Sequence, residues 1–499
     1  MKFLGIPQII RSFLLSLHVN YILAKMIIGR VEEKKKMLKA NNSEYSQFVT
    51  VYGRRRVGKT FFVRETFNYK FTFEHAGLAK AGMKEQLAAW QTSMKFHGYD
   101  TVRPKTWLDA FNQLKELIIA SPKKKKVIFI DEMPWMDTPK SGFISALEFF
   151  WNGWASARKD ITLIVCGSAT SWIINKIIRN KAGLHGRVTT RIRINPFTLA
   201  ECEKFATHYK LGMNRRQLTE CSMVMGGIPY YWSLLDREKS LAQNIDDLFF
   251  QENGELHNEF NELYRSLFKN PEPYIKVIEQ LGARKVGMTR EELISSGIKD
   301  NGKLTELLED LEQCGFIRKY AAYGYSSHKA IFQLIDPYTL FYYKFILASD
   351  WKDERFWSHS LNQPIYNNWC GLAFERICLL HINQIKQALG ITGVISGVCG
   401  WQAAGKEGGK GAQIDLVIDR DDDIVDLCEI KYSREPYTVT SDYYDIVVNK
   451  TLRFKEDTKS PKSVHQILIS ANGVKRNAYS DEFQKIITLD SLFEPYIQI

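Results

Sequence analysis

A chain of 499 residues with 45% hydrophobic and 25% charged residues is too long for one ordinary domain, points to roughly three, and excludes large-scale disorder. Its formal charge of +12 tilts the reading toward a polyanionic partner, although the excess is thin over so large a surface. The eight cysteines form no C-x-x-C pair, which excludes a zinc or dithiol framework and fits a reducing, cytoplasmic setting.

In chain order, residues 1–25 hold an apolar stretch interrupted by Arg11, His18 and Asn20. That is neither a signal peptide nor a membrane span, which needs about 20 apolar residues. No membrane partner is expected. The regular pattern begins at Met26, so the expectation is a start there, with residues 1–25 as a leader outside the native protein.

Phe48–Tyr52 reads as a short buried strand, followed by Gly53-Arg54-Arg55-Arg56-Val57-Gly58-Lys59-Thr60 and a helical stretch opening at Phe61. Strand, loop and helix in this order are the context that a G-x-x-x-x-G-K-[ST] phosphate loop requires. The glycines let backbone N–H groups turn inward around phosphates, and the helix N-terminus adds partial positive charge. Lys59 neutralises the β and γ oxygens, and Thr60 supplies a ligand to magnesium. ATP and Mg2+ are therefore the expected cofactors. Lys123 to Lys126 read as a solvated turn before the next strand.

Val127–Ile130 is a continuous apolar run, as expected for a parallel strand buried on both faces, and it ends in Asp131-Glu132. Asp131 would hold magnesium through water, and Glu132 would orient or deprotonate the attacking water. A third buried strand, Ile161–Cys166, leads into Gly167 and Ser168, where the serine either senses the γ-phosphate or attacking water or caps a helix.

These segments carry a resemblance. Ile28-Gly-Arg-Val-Glu-Glu, Val51-Tyr-Gly-Arg-Arg-Arg-Val-Gly-Lys-Thr, Ile128-Phe-Ile-Asp-Glu, Cys166-Gly-Ser, Gly186-Arg187 with Pro196-Phe197, and Gly226-Gly-Ile-Pro-Tyr-Tyr are similar to the archaeal-type ATPase family, a relative of AAA+ and STAND NTPases. The resemblance implies a three-layer α/β P-loop domain with a helical lid over residues 26–250. It places Arg187 at an arginine-finger or phosphate-sensing position, against the alternative of a surface arginine in the basic series with Arg191 and Arg193. Arg54, Arg55 and Arg56 touch phosphates, a partner or solvent.

After a polar and partly acidic linker from Gln251 to Glu262, residues 263–350 have helix-turn-helix punctuation. Thr289-Arg-Glu-Glu292 is a capping box, and Leu304, Leu307, Leu308 and Leu311 form a helical stripe. Gly315 ends that helix, and Phe316–Tyr320 with Ile331–Ile335 form two wing strands around Gly324. The module reads as a winged helix. Its second helix displays Glu306, Glu309, Asp310 and Glu312 with Lys303 alone opposing, which a phosphate backbone would repel. An adaptor role is expected.

In the tail, residues 360–499, Gly371-Leu-Ala-Phe-Glu375-Arg opens a helix, and Gln413–Ile418 and Val425–Lys431 alternate as strands. A period of two puts Glu429 and Lys431 on one face, and Asp415 on the neighbouring strand can join them. Two carboxylates suit magnesium, and a nearby lysine can activate water or steady charge on a phosphate. The layout Glu375, Asp415, then Glu429-x-Lys431, with Trp401 before the Asp strand, resembles the PD-(D/E)xK restriction-endonuclease-like superfamily. The resemblance implies an α/β tail that binds or cleaves DNA under nucleotide control, with Asp415 and Glu429 as metal ligands and Glu375 as a further acidic group. The alternative is a STAND-type switch in which ATP gates assembly with a protein partner or further copies of the chain, the tail being catalytically inactive.

Overall fold

The computed structural model describes residues 27–180, 183–268, 270–300, 302–324, 330–347, 353–403 and 411–496. The leader at 1–25 and the start at Met26 lie outside the described residues. The described residues divide into two compact units, with the boundary between Asn195 and Pro196.

The first unit is built on a parallel sheet of β1 (Gln47–Tyr52), β2 (Phe73–Ala76), β3 (Lys126–Asp131), β4 (Ile161–Gly167) and β5 (Thr190–Arg193), in the order β2-β3-β4-β1-β5. Alternate strand residues Phe48, Phe73, Ile128, Ile130, Leu163 and Val165 pack against the helices Met83–Phe96, Trp107–Ala120 and Phe143–Gly153. Val49, Phe129 and Ile164, pointing the other way, are equally buried, so both faces are covered. Trp90 centres the first layer, with its ring 4.8 Å from Phe73, 5.7 Å from Trp107 and 5.6 Å from Phe111. Truncating a side chain that size in a closed core costs about 3–5 kcal/mol.

The lysine run 123–126 is more than a solvated turn. Lys123 donates to the Phe71 carbonyl at 2.6 Å, Lys125 to the Ser43 carbonyl at 2.6 Å, and Lys126 pairs with Asp160 at 2.8 Å. Three of the four thus tie the start of β3 to neighbouring segments.

The second unit begins with helices Leu199–His208 and Arg215–Met225, each opened by a capping box, Thr198 with Glu201 and Asn214 with Gln217. The polar stretch 251–262 does not stay a linker throughout. Helix Glu259–Leu267 starts inside it, buries Phe260, Leu263 and Tyr264, and seats the carboxylate of Glu259 against the Tyr231 hydroxyl at 2.9 Å.

A three-stranded antiparallel sheet follows, with β6 (Met288–Thr289), β7 (Ile317–Ala321) and β8 (Ala330–Leu334) in the order β6-β8-β7. The Thr289 capping box is formed, Gly315 turns at φ 77°, and Leu304, Leu308 and Leu311 are buried. Asp310 departs from the sequence expectation. It is buried and accepts from the Tyr274 hydroxyl at 2.7 Å, because the helix rolls that position against helix Glu272–Gly282.

The tail sheet contains β9 (Ser396–Ala403), β10 (Ala412–Arg420), β11 (Ile424–Lys431), β12 (Tyr437–Thr438), β13 (Ser463–Ser470), β14 (Val474–Lys475) and β15 (Lys485–Thr488). Its main sheet has the order β15-β13-β11-β10-β9, and β12 pairs with β14 in a separate ribbon. β9, β10 and β11 form an antiparallel meander, whereas β11, β13 and β15 run parallel, with helix Ser441–Thr458 crossing between the first two. The helix that carries Glu375 opens at Pro364, not at Gly371, and runs to Leu380. Proline at the first turn needs no N–H there and has its φ already set.

Beyond β7 the chain joins the tail. Ala322 bridges Gly400 of β9, the Tyr323 N–H donates to the Gly400 carbonyl at 2.9 Å, and the Tyr323 ring lies 4.9 Å from Phe454. Among the described residues no helix is long and apolar enough to cross a membrane.

Candidate functional site

The phosphate loop lies between the end of β1 and helix Lys59–Thr66. Gly53 sits at φ 149°, and a Cβ there would stand 2.1 Å from the Ile194 carbonyl oxygen, so only glycine lets the chain continuing from β5 close on the loop. Arg56 and Gly58 are left-handed, which turns successive backbone groups around the loop. Lys59 is buried, and its ammonium donates to the carbonyls of Gly53 at 2.9 Å and Arg54 at 2.8 Å, leaving one of its three N–H donors. Arg54 is buried, Arg55, Arg56 and Thr60 are half-buried, Val57 is buried, and Phe61 is exposed at the helix start.

The Thr60 hydroxyl donates to Asp131 Oδ2 at 2.6 Å, and the other Asp131 oxygen accepts the Glu132 N–H at 2.9 Å. The two residues expected to meet magnesium are thus together, and an alcohol beside a carboxylate is the hard oxygen donor set that ion prefers. Glu132 has a left-handed backbone at φ 44°, a conformation that costs a non-glycine residue on the order of 1 kcal/mol. Its carboxylate is held by the Ser168 hydroxyl at 2.6 Å and the Ser168 N–H at 3.2 Å.

Sheet order explains this contact. β4 lies between β1 and β3, so the residue ending β4 stands beside the carboxylates ending β3. A Cβ on Gly167 would stand 2.6 Å from the Pro134 ring, so a larger residue would wedge these two strand ends apart. Burial and the neighbouring Asp131 push the Cys166 thiol well up, so it stays protonated beside the site. Arg187 is exposed in the turn before β5.

In the tail, Glu429 is buried at the end of β11. Its Oε1 accepts from Lys450 Nζ at 2.6 Å and its Oε2 from the Tyr443 hydroxyl at 2.9 Å, both on helix Ser441–Thr458. Lys431 lies 4.4 Å above the ring of Tyr443, the residue whose hydroxyl meets Glu429. Strand alternation did not reveal Lys450 and Tyr443, which lie 21 and 14 residues along the chain from Glu429. Their seven-residue spacing, which puts two side chains on one helix face, is the signal that would have found them.

The position of Asp415 continues the β10–β11 register to a place across from Glu429, at an irregularity in the pairing of β10 with β9. Its side chain lies outside the described residues. Glu375 pairs with Lys285 at 2.7 Å and lines a cavity with Arg318, Arg376, Gln413 and Trp401. Tyr432, directly after Lys431, donates to Glu220 of helix Arg215–Met225 at 2.6 Å. Among the described residues no group of three or more His, Cys, Asp and Glu side chains converges.

A 378-residue alignment at 24% identity, covering 72% of this chain and 79% of the relative, relates it to the uncharacterized protein MJECL04 of Methanocaldococcus jannaschii. Among solved structures, the Walker-type ATPase paby2304 of Pyrococcus abyssi aligns at 17% identity over 64% of this chain and 96% of its own, with a TM-score of 0.48. The Aeropyrum pernix ORC2 protein, solved with ADPNP and ADP, aligns at 12% identity over 64% and 93% of the two chains, with a TM-score of 0.39. Residues 28–235 match the family described as an ATPase domain predominantly from Archaea, and over that span the chain carries an archaeal-type P-loop ATPase domain.

Proposed function

We propose that the chain binds and hydrolyses ATP at the loop Gly53–Thr60 and couples turnover to a tail that engages DNA. The observation that carries the first part is the contact of Thr60 with Asp131 beside a buried Lys59. Lys59 binds the β and γ oxygens, Thr60 and Asp131 hold Mg2+, and Glu132, oriented by Ser168, takes the proton of the attacking water. Bound magnesium supplies charge neutralisation for the phosphates. The exposure of Arg187 supports a role in reaching a neighbouring copy of the chain or another partner.

For the remainder, residues 263–350 are read as a winged-helix adaptor and residues 360–499 as a restriction-endonuclease-like module. Two features support the adaptor: Glu306 and Glu309 are exposed on the second helix, and the chain after β7 is taken up by the tail. The mixed sheet, with a meander followed by a helical crossover, supports the tail reading. Asp415, Glu429 and Lys431 are its proposed phosphodiester site, with Glu375 at its margin, acting on DNA from a cytoplasmic location.

One observation favours a second reading, the STAND-type ATP-gated switch with an inactive tail: both oxygens of Glu429 are already engaged by the chain's own donors. ATPase rates with and without DNA, for wild type and Glu132→Gln, separate the two. DNA-stimulated multiple turnover that Glu132→Gln abolishes supports the first. Oligomerisation driven by ATP, with turnover indifferent to DNA, supports the second.

A further inference from the structure

We propose that Lys450 is a built-in counter-cation that holds Glu429 against a divalent ion and so weakens the metal affinity of the tail. The inference rests on the reading of Glu429 as a metal ligand. A carboxylate that joins a metal site must present at least one oxygen to the ion at about 2.0–2.6 Å. Here Oε1 receives the Lys450 ammonium at 2.6 Å and Oε2 receives the Tyr443 hydroxyl at 2.9 Å. An ion at either oxygen would stand within a few ångströms of the ammonium, and the two positive charges would repel.

The pair is sheltered, with side-chain exposures of 21% for Lys450 and 5% for Glu429, so salt and water screen it poorly. Lys431 is held separately over the Tyr443 ring and need not move when Lys450 does. The exposed fraction of Lys450 and its long flexible stem give it a route outward. Metal uptake at Glu429 therefore includes the cost of breaking this contact, and removing the ammonium removes that cost.

The test is manganese binding to the full chain without nucleotide, measured by calorimetric titration. Uptake at Glu429 is defined as the part lost in Glu429→Gln, which subtracts any ion at the phosphate loop. Lys450→Met and Lys450→Gln should bind manganese at this site roughly tenfold or more tightly than wild type. Lys450→Arg, which keeps the cation, should stay near wild type. Thermal melting identifies variants that fold, and either neutral substitution suffices. If wild type already binds at a Glu429-dependent site as tightly as the neutral variants, Lys450 holds nothing back and the proposal fails, while the metal reading stands. If neither wild type nor the neutral variants show uptake that depends on Glu429, the proposal and the metal reading fail together.

Discussion

Two glutamates, each at or just beyond the C-terminal end of a parallel strand, are treated differently by their surroundings. Glu132 after β3 is held by a hydroxyl and a backbone N–H from Ser168, both neutral donors, whereas Glu429 in β11 is held by an ammonium and a phenol. Neutral donors fix the direction of a carboxylate and leave its charge available to a water or an ion. An ammonium fixes direction and cancels the charge as well. On the proposed reading, the first arrangement suits proton transfer as it stands, and the second requires a lysine to move before an ion can enter.

The largest effect that could break this comparison is at the phosphate loop. Lys59→Ala should weaken ATP binding by roughly a hundredfold or more, because the main counter-charge to the phosphates is gone. Titration with a fluorescent ATP analogue reads it, and unchanged affinity would remove the site. Next, Glu132→Gln should keep ATP bound while turnover falls by roughly a hundredfold or more, since the amide keeps the shape and loses the base. Wild-type turnover in that variant would end the proposed role of Glu132.

Ser168→Ala sharpens the contrast further. It removes one of two neutral donors, so kcat should fall by about tenfold with KM unchanged. A matching rise in KM would mean that Ser168 binds nucleotide instead of orienting Glu132.

Acid should act on both units through buried imidazoles. Burial lowers His75 and His381 from 6.5 to about 4, and His381 accepts the Leu199 N–H at 2.9 Å as a neutral ring. Between those values the unfolded chain takes the proton first, so stability is complete above pH 6.5 and is lost as pH falls toward 4. Each site contributes on the order of 3 kcal/mol over that window. Urea midpoints at pH 7.5, 6 and 5 should fall in order, and less steeply in His75→Gln. The smallest expected change is Tyr432→Phe, which frees one acceptor of Glu220 and should cost about 1 kcal/mol by denaturant titration.

Most of the candidate nucleotide site was legible in the sequence by itself. Gly53 to Thr60 and Asp131-Glu132 are contiguous runs, each joined to a strand whose apolar pattern is readable, so covalent geometry carries the chemistry with it. Two strands of the tail, β10 and β11, and the capping box at Thr289 were legible for the same reason, since each depends on neighbours within a few residues. Tertiary structure decided what depends on distant partners. The insertion of β4 between β1 and β3 brings Ser168 to Glu132, and helix rotation buries Asp310 against Tyr274. The crossover helix delivers Lys450 to Glu429, and strand alternation, which places a side chain on a face, is blind to what an element packed later brings to meet it.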